Sequence, residues 1–179
     1  MDSQKKPVQL IEPACAPKID GVVCPSDFYW VASTPAPLAG MRLPTEDFPW
    51  DKIAAAGFRR VVSLHPTKCD PAPLTFIFRQ KLQDLASGGD PTDRAKEEHL
   101  IRTAVNATIQ ALRSGEGVVV HCVGGRGRTG TVIGCVLRQL GCDLKEVIDY
   151  LDALHKLRER SGWPESPWQA RLVQEWRSE

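Results

Sequence analysis

One stretch constrains this chain more than any other: Val118-Val119-Val120-His121-Cys122-Val123-Gly124-Gly125-Arg126-Gly127-Arg128-Thr129-Gly130. Three consecutive β-branched residues with no polar alternation mark a strand buried on both faces. Such a strand needs cover on each side. The run therefore asks for an α/β domain with a mostly parallel central sheet flanked by helices. The strand ends in a cysteine. Five loop residues follow, three of them glycine, and Arg128 then opens a helix that Gly141 stops after about Leu140.

The chemistry follows from that order. Successive backbone N–H groups in a glycine-rich loop can turn inward and form an anion nest. The helix start adds unsatisfied N–H groups and the positive end of its dipole. Gly124, Gly125 and Gly127 permit positive φ or close backbone approach. Arg128 can fork two hydrogen bonds onto an oxyanion. The same field favours the thiolate of Cys122, since helix N-termini and nearby cations stabilise ionised cysteine. A thiolate beside a bound tetrahedral anion implies nucleophilic attack on phosphorus.

The rest of the chain agrees with one α/β unit. Strands are expected at Phe28-Tyr29-Trp30-Val31-Ala32 and over residues 58–64; residues 74–82 suit strand or helix. Helices are expected over about 50–56 and 93–113, the latter with Leu100, Ile101, Ala104, Val105, Thr108, Ile109 and Leu112 at 3–4 spacing. Asp143 starts another, and Ser166-Pro167-Trp168-Gln169 the last. Residues 1–25 carry scattered prolines and no lasting hydrophobic period, so they read as an extended arm before a domain of residues 26–179. Within the arm, residues 8–11 can pack as an edge segment.

Composition narrows the function. A formal net charge of +1 is a poor basis for wrapping nucleic acid. No apolar run approaches the ~18–20 residues that span a bilayer, and the opening residues lack the apolar core of a secretory signal. Six cysteines in 179 residues with no paired CxxC read as reduced cytoplasmic thiols, neither a disulfide scaffold nor a zinc cluster.

The segment His121-Cys122-Val123-Gly124-Gly125-Arg126-Gly127-Arg128-Thr129-Gly130 resembles the H-C-x-x-G-x-x-R-[ST]-G signature of the cysteine-dependent protein tyrosine phosphatase superfamily. The compact length resembles its dual-specificity branch. The resemblance implies that Cys122 is the nucleophile that becomes a phosphocysteine. It implies that Arg128 binds the phosphoryl oxygens and that the amides of Val123, Gly124, Gly125, Arg126, Gly127 and Arg128 line the pocket. Thr129 would hydrogen-bond the thiolate, and His121 would orient the loop and support the cysteine from behind. No cofactor or metal is implied; the partner is a phosphorylated protein or another phosphomonoester.

The family also implies an aspartate on a loop about 30 residues before the cysteine, as general acid. Here Asp84 precedes Cys122 by 38 residues, Asp90 by 32 and Asp93 by 29. Spacing favours Asp90 or Asp93. Context favours Asp84, which stands where a strand gives way to a loop, with Gly88-Gly89 accounting for the extra length; Asp90 and Asp93 abut a helix start, where Asp is a common cap. Arg126 reads as a solvated loop residue or as added affinity for polyanions. Ser166 and Gln169 read as a capping box or as a water-positioning pair. Cys69 reads as a loop thiol or as a resolving partner for oxidised Cys122, and His65 as loop structure or a substrate contact. The favoured activity is hydrolysis of phosphotyrosine, with phosphoserine and phosphothreonine open. Phosphoinositides, inositol phosphates or RNA 5′ ends are the alternative, the near-neutral charge weighing against RNA; a rhodanese-like sulfurtransferase and a binding-only pseudophosphatase stand behind it.

Overall fold

Across residues 8–177, which the computed structural model describes, the elements are β1 (Phe28–Ala32), β2 (Leu38–Met41), α1 (Trp50–Ala55), β3 (Phe58–Ser63), β4 (Thr75–Arg79), α2 (Arg94–Arg113), β5 (Gly117–His121), α3 (Gly127–Gln139), α4 (Leu144–Leu157) and α5 (Pro167–Glu175). The strands make one sheet in the order β1-β2-β5-β3-β4. β2, β5, β3 and β4 run parallel, and β1 pairs antiparallel with β2. The sheet is thus mostly parallel, and the valine-rich β5 lies at its centre with every residue buried.

Alternation along β5 divides the core. Val118 and Val120 face a layer built from α2, α3, α4 and α5, with Ile101, Val105, Ile133, Leu151 and Val173 among its residues. Val119 faces the smaller layer around α1, with Phe28, Trp30, Trp50, Ile53 and Phe58. Asp93 caps α2 by accepting from the Lys96 amide, and Asp143 caps α4 by accepting from the Lys145 amide. The ambiguous 74–82 segment resolves as strand for its first half.

β2 has no counterpart in the strands expected from sequence. Leu38-Ala39-Gly40-Met41 is short and half composed of poor strand formers. It becomes a strand because β1 and β5 flank it, and all four residues are buried. Gly40 opposes Tyr29 in the register, and a Cβ on Gly40 would lie 2.3 Å from the Tyr29 ring. The missing side chain lets that ring lie flat across β2.

The segment ahead of β1 is docked. The Ile11 amide donates to the Val31 carbonyl at 2.9 Å, the Ser33 amide donates to the Gln9 carbonyl at 3.0 Å, and Leu10 bridges Ala32 antiparallel. Tyr150 on α4 donates its hydroxyl to the Ile11 carbonyl at 2.8 Å. Residues 9–11 therefore line the outer edge of β1, as expected for 8–11. Residues 13–15 form a 3-10 turn and Ile19 enters the α1-side core, so this stretch is not extended throughout. Residues 1–7 of the expected arm lie outside the described residues. No helix among the described residues is long and apolar enough to cross a membrane.

Candidate active site

Cys122 follows the last residue of β5, and α3 begins five residues later. The intervening carbonyls all find donors in the surrounding protein. The Cys122 carbonyl faces His121 Nδ1 at 3.3 Å. The Val123 carbonyl accepts from the Leu43 amide at 2.8 Å. The Gly124 carbonyl accepts from Arg158 at 3.2 Å, and the Gly125 carbonyl from Arg158 at 2.9 Å and the Tyr29 hydroxyl at 2.6 Å. The Arg126 carbonyl accepts from the Gly130 amide, and the Gly127 carbonyl from Thr131 Oγ1 at 2.7 Å. Among the described residues, the amides of residues 123–128 donate to no protein acceptor. A loop whose carbonyls are consumed by the protein while its N–H groups stay uncommitted is a cradle for an anion.

The glycines have different reasons. Gly125 has φ +67°, and a Cβ there would sit 2.5 Å from the Met41 backbone. At Gly127 a Cβ would collide with the Glu165 carboxylate, 1.7 Å away. Gly124 has neither a positive φ nor a neighbour within 4 Å of its would-be Cβ. Two of the three expected glycine requirements are therefore met, and Gly124 needs another reason.

Arg128, in the first turn of α3, is 6% exposed, and Cys122 is 2% exposed. Arg128 donates from Nη2 to Asp84 Oδ2 at 2.8 Å, and its Nη1 lies 3.4 Å from His65 Nδ1. Asp84 is the aspartate of the three that the fold brings to the loop. Its side chain is 56% exposed, between the buried Leu82 and Leu85 that pin the segment. Its other oxygen accepts from the Ala86 amide at 3.0 Å. The segment is braced from α2: Glu97 accepts from the Gln83 amide at 2.8 Å, and Gln83 Oε1 accepts from the amide and hydroxyl of Thr92. Burial pushes the Glu97 carboxyl up, against the Gln83 amide and the Arg128 charge. Asp90 instead pairs with Arg94 and Arg171 on the surface, and Asp93 is the α2 cap.

Several side chains have roles that differ from expectation. Arg126 is held by the protein: it donates from Nε to Glu165 at 2.9 Å and from Nη1 to Ser161 at 2.7 Å, and the Arg126–Glu165 pair is 19% and 15% exposed. Gln169 spends its carbonyl oxygen on the amides of Glu165 and Ser166, the capping role, and is 1% exposed. Its Nε2 lies beside Gly127 of the loop, 3.0 Å from where a Cβ on that residue would be. Thr129 Oγ1 is buried without a hydrogen-bond partner, so the expected bond to Cys122 is not made. Burial drives His121 down to about 4, with its bond to the Cys122 carbonyl opposing, so the ring is neutral near pH 7 and supports the loop without charge. Cys69 lies in the α1-side core, with Trp50 Nε1 donating to its sulfur at 3.2 Å; Cys122 belongs to the opposite core. That burial and separation disfavour a resolving thiol.

Three residues of the site were not singled out from sequence. Glu165 neutralises Arg126, Tyr29 reaches the Gly125 carbonyl, and Arg158 holds two loop carbonyls. Only Arg158 left a trace: Leu151, Leu154, His155 and Arg158 share the 3–4 spacing of the buried face of α4.

Comparison with known proteins bears on this arrangement. Residues 25–163 match the family described as Swiss Army Knife protein, DSP-PTPase phosphatase domain. Over 99 residues the chain is 34% identical to protein 067L of Invertebrate iridescent virus 3, which carries a tyrosine phosphatase name; the match spans 50% of this chain and 40% of that one. Among solved structures, Tk-PTP superposes with a TM-score of 0.54 at 24% identity, covering 77% of this chain and 89% of its own. The catalytic core of Siw14 from S. cerevisiae gives 0.55 at 13% identity, covering 78% and 80%. TpbA of P. aeruginosa gives 0.56 at 16% identity, covering 93% and 88%. These three establish likeness of fold. The family match extends over most of the chain and takes in β5, the loop and the start of α3, and on that ground the chain belongs to the DSP-PTPase family of cysteine-based phosphatases.

Proposed function

We propose that this protein hydrolyses phosphomonoesters, phosphotyrosine in proteins foremost, through a phosphocysteine intermediate. The observation that carries this reading is the loop of outward carbonyls and uncommitted amides around Cys122, with Arg128 at one side. In the first step the Cys122 thiolate attacks phosphorus while the bond to the leaving oxygen breaks. Asp84 donates a proton to that oxygen. In the second step Asp84, now a carboxylate, takes a proton from water. The resulting hydroxide attacks phosphorus, the sulfur–phosphorus bond breaks, and phosphate and thiolate are released. The loop amides and Arg128 stabilise the equatorial oxygens in both steps, so the scheme requires no metal. The nearness of Asp84 to Arg128 supports its role; substrate phosphate would take over the guanidinium and leave the carboxyl facing the leaving group. Six unpaired cysteines suit action in a reducing compartment such as the cytoplasm.

A second substrate class is favoured by one observation. A cavity of about 150 Å³ lined by His65, Pro66, Arg79, Gln80 and Lys81 adjoins Arg128 through His65. It carries basic side chains and no carboxylate, which suits a second phosphate. A fold neighbour, Siw14, is named as a PP-IP phosphatase. Glu165 offsets the charge Arg126 would bring to this alternative.

The test is Asp84→Asn. It should lower kcat by roughly 10²–10⁴ on an alkyl phosphate, whose leaving group needs a proton, and by much less on nitrophenyl phosphate. Asp90→Asn and Asp93→Asn should show no such leaving-group dependence. If Asp90→Asn shows it instead, Asp84 is not the acid. Activity surviving in Cys122→Ser would dismiss the phosphocysteine scheme. Comparing phosphotyrosyl peptides with inositol polyphosphates, in wild type and in Lys81→Ala, separates the two substrate classes.

A further inference from the structure

The Gly124 and Gly125 carbonyls depend on a residue outside the signature segment. Arg158, the C-cap of α4, is 5% exposed. Its Nη1 donates to the Gly125 carbonyl and its Nη2 to the Gly124 carbonyl. The same guanidinium donates to the Pro25 carbonyl at 2.9 Å and the Ser26 carbonyl at 2.8 Å, tying the loop to the chain just before β1. The Tyr29 ring lies with its centroid 4.5 Å away, and His155 Nδ1 is 3.0 Å from Nη1. Burial holds His155 down to about 3, so this neighbour is neutral. Among the described residues Arg158 makes no ion pair; its partners are carbonyls, an imidazole and a phenol ring.

Two physical consequences follow. A peptide unit is planar and trans, so its N–H points opposite to its C=O. Drawing the carbonyls of residues 124 and 125 toward Arg158 turns the amides of Gly125 and Arg126 the other way, into the cradle. Second, a buried cation without a counter-ion is costly unless its charge is answered nearby. Asp27, itself paired with Arg42, acts on this charge from the β1 side, and across the loop Cys122 and the anion site answer it from the other.

We propose that Arg158 is a positioning residue that holds the phosphate loop in its anion-binding shape, with the Cys122 thiolate and the substrate phosphoryl group as its counter-charge through the loop peptides. The proposal rests on the hydrolase reading above and adds a residue to it. Tyr29 shares the task at the Gly125 carbonyl.

The experiment uses the full chain and the variants Arg158→Met, Arg158→Lys and Tyr29→Phe. It measures Tm, inhibition by vanadate, and the rate of iodoacetamide alkylation of Cys122 at pH 6 relative to pH 9. In Arg158→Met, the vanadate inhibition constant should rise roughly ten-fold or more, the loss expected for charged hydrogen bonds. The alkylation ratio should fall several-fold, because a weakened cradle favours the thiol. Arg158→Lys should recover part of both, since it keeps the charge with fewer donors. Tyr29→Phe should show a smaller loss. A folded Arg158→Met protein with unchanged inhibition and alkylation, whatever its Tm, overturns the proposal. If Arg158→Met does not fold, unchanged inhibition in both Arg158→Lys and Tyr29→Phe overturns it as well. Wild-type protein that neither hydrolyses an aryl phosphate nor binds vanadate refutes the hydrolase reading and this one with it. Active wild type with indifferent variants refutes this one alone.

Discussion

Adding one methyl group at Gly40 should destabilise the protein and loosen its active site together. A Cβ at residue 40 would lie 2.3 Å from Cζ and Oη of Tyr29 and 2.5 Å from Cε2. Carbon contacts settle near ~3.5 Å, so ring or strand must give by about 1.2 Å. The ring has no room: Tyr29 is 1% exposed, Arg158 lies over its face, and His155 stands edge-on with its centroid 5.4 Å away. A shift of that size would also break the 2.6 Å bond from the Tyr29 hydroxyl to the Gly125 carbonyl. Overpacking costs about 1–3 kcal/mol. A buried hydroxyl left unpaired adds about 1–3 kcal/mol, and replacing a strand glycine returns roughly 0.5–1 kcal/mol. The net is a loss of about 1–5 kcal/mol, centred near about 3, or on the order of 10 °C in Tm for a chain of this size. Thermal and urea unfolding measure the stability, and kcat on nitrophenyl phosphate should fall in the folded protein. In a Tyr29→Leu background the same methyl should cost about 1 kcal/mol or less, because the ring atoms it strikes are gone. A Gly40→Ala protein within about 2 °C of wild type, or an equal cost in both backgrounds, would refute the argument.

Stability should also fall with acid before the carboxylates protonate. His121 and His155 are pushed by burial to about 4 and about 3, below the ~6.5 of an unfolded histidine. Folded-state pKa values below the unfolded value make their contribution whole above about pH 6.5 and lost as pH falls toward 4. Together they should remove about 4 kcal/mol between pH 7.5 and 5, partly offset by Glu97, whose raised pKa acts with the opposite sign. Urea midpoints that do not move between those pH values would refute this. In the loop, Gly125→Ala should lose both Tm and vanadate binding, through positive φ and a 2.5 Å clash, while Gly124→Ala should keep wild-type Tm; equal Tm losses would contradict the geometry.

What was legible in the sequence was what local chemistry decides. The valine run needed no partner to declare itself a central strand, and glycine, arginine and helix start stood in an order that only an anion site explains. β2 was not legible, because Ala39 and Gly40 carry little strand preference and the strand exists by virtue of its neighbours. Asp84 was half legible. Its place at the end of a strand pointed to the site, but the bracing by Gln83, Thr92 and Glu97 depends on where α2 packs. Glu165 stands in a Pro- and Gly-containing connection and Arg158 in the charged run Arg158-Glu159-Arg160, where only the 3–4 spacing from Leu151 hinted at burial. They turn inward because α4 and the start of α5 converge on the phosphate loop, a fact of tertiary structure. Gln169 shows the reverse: a motif matched, but its oxygen was already committed to a helix cap.

The docked segment ahead of β1 has a consequence for how copies of this protein meet. β1 stands at the margin of the sheet, and its outward amides and carbonyls would otherwise be a ready template for a strand from another molecule. Residues 9–11 occupy the Val31 carbonyl and the Ser33 amide, and Tyr150 fastens that segment to α4. The family match begins only at residue 25, so this cover lies outside the shared catalytic unit. A chain begun at residue 25 would keep its phosphate loop and bare this margin. It would leave the β1 edge open to pairing across molecules, so the cover of this edge and the phosphate loop are supplied by different stretches of chain.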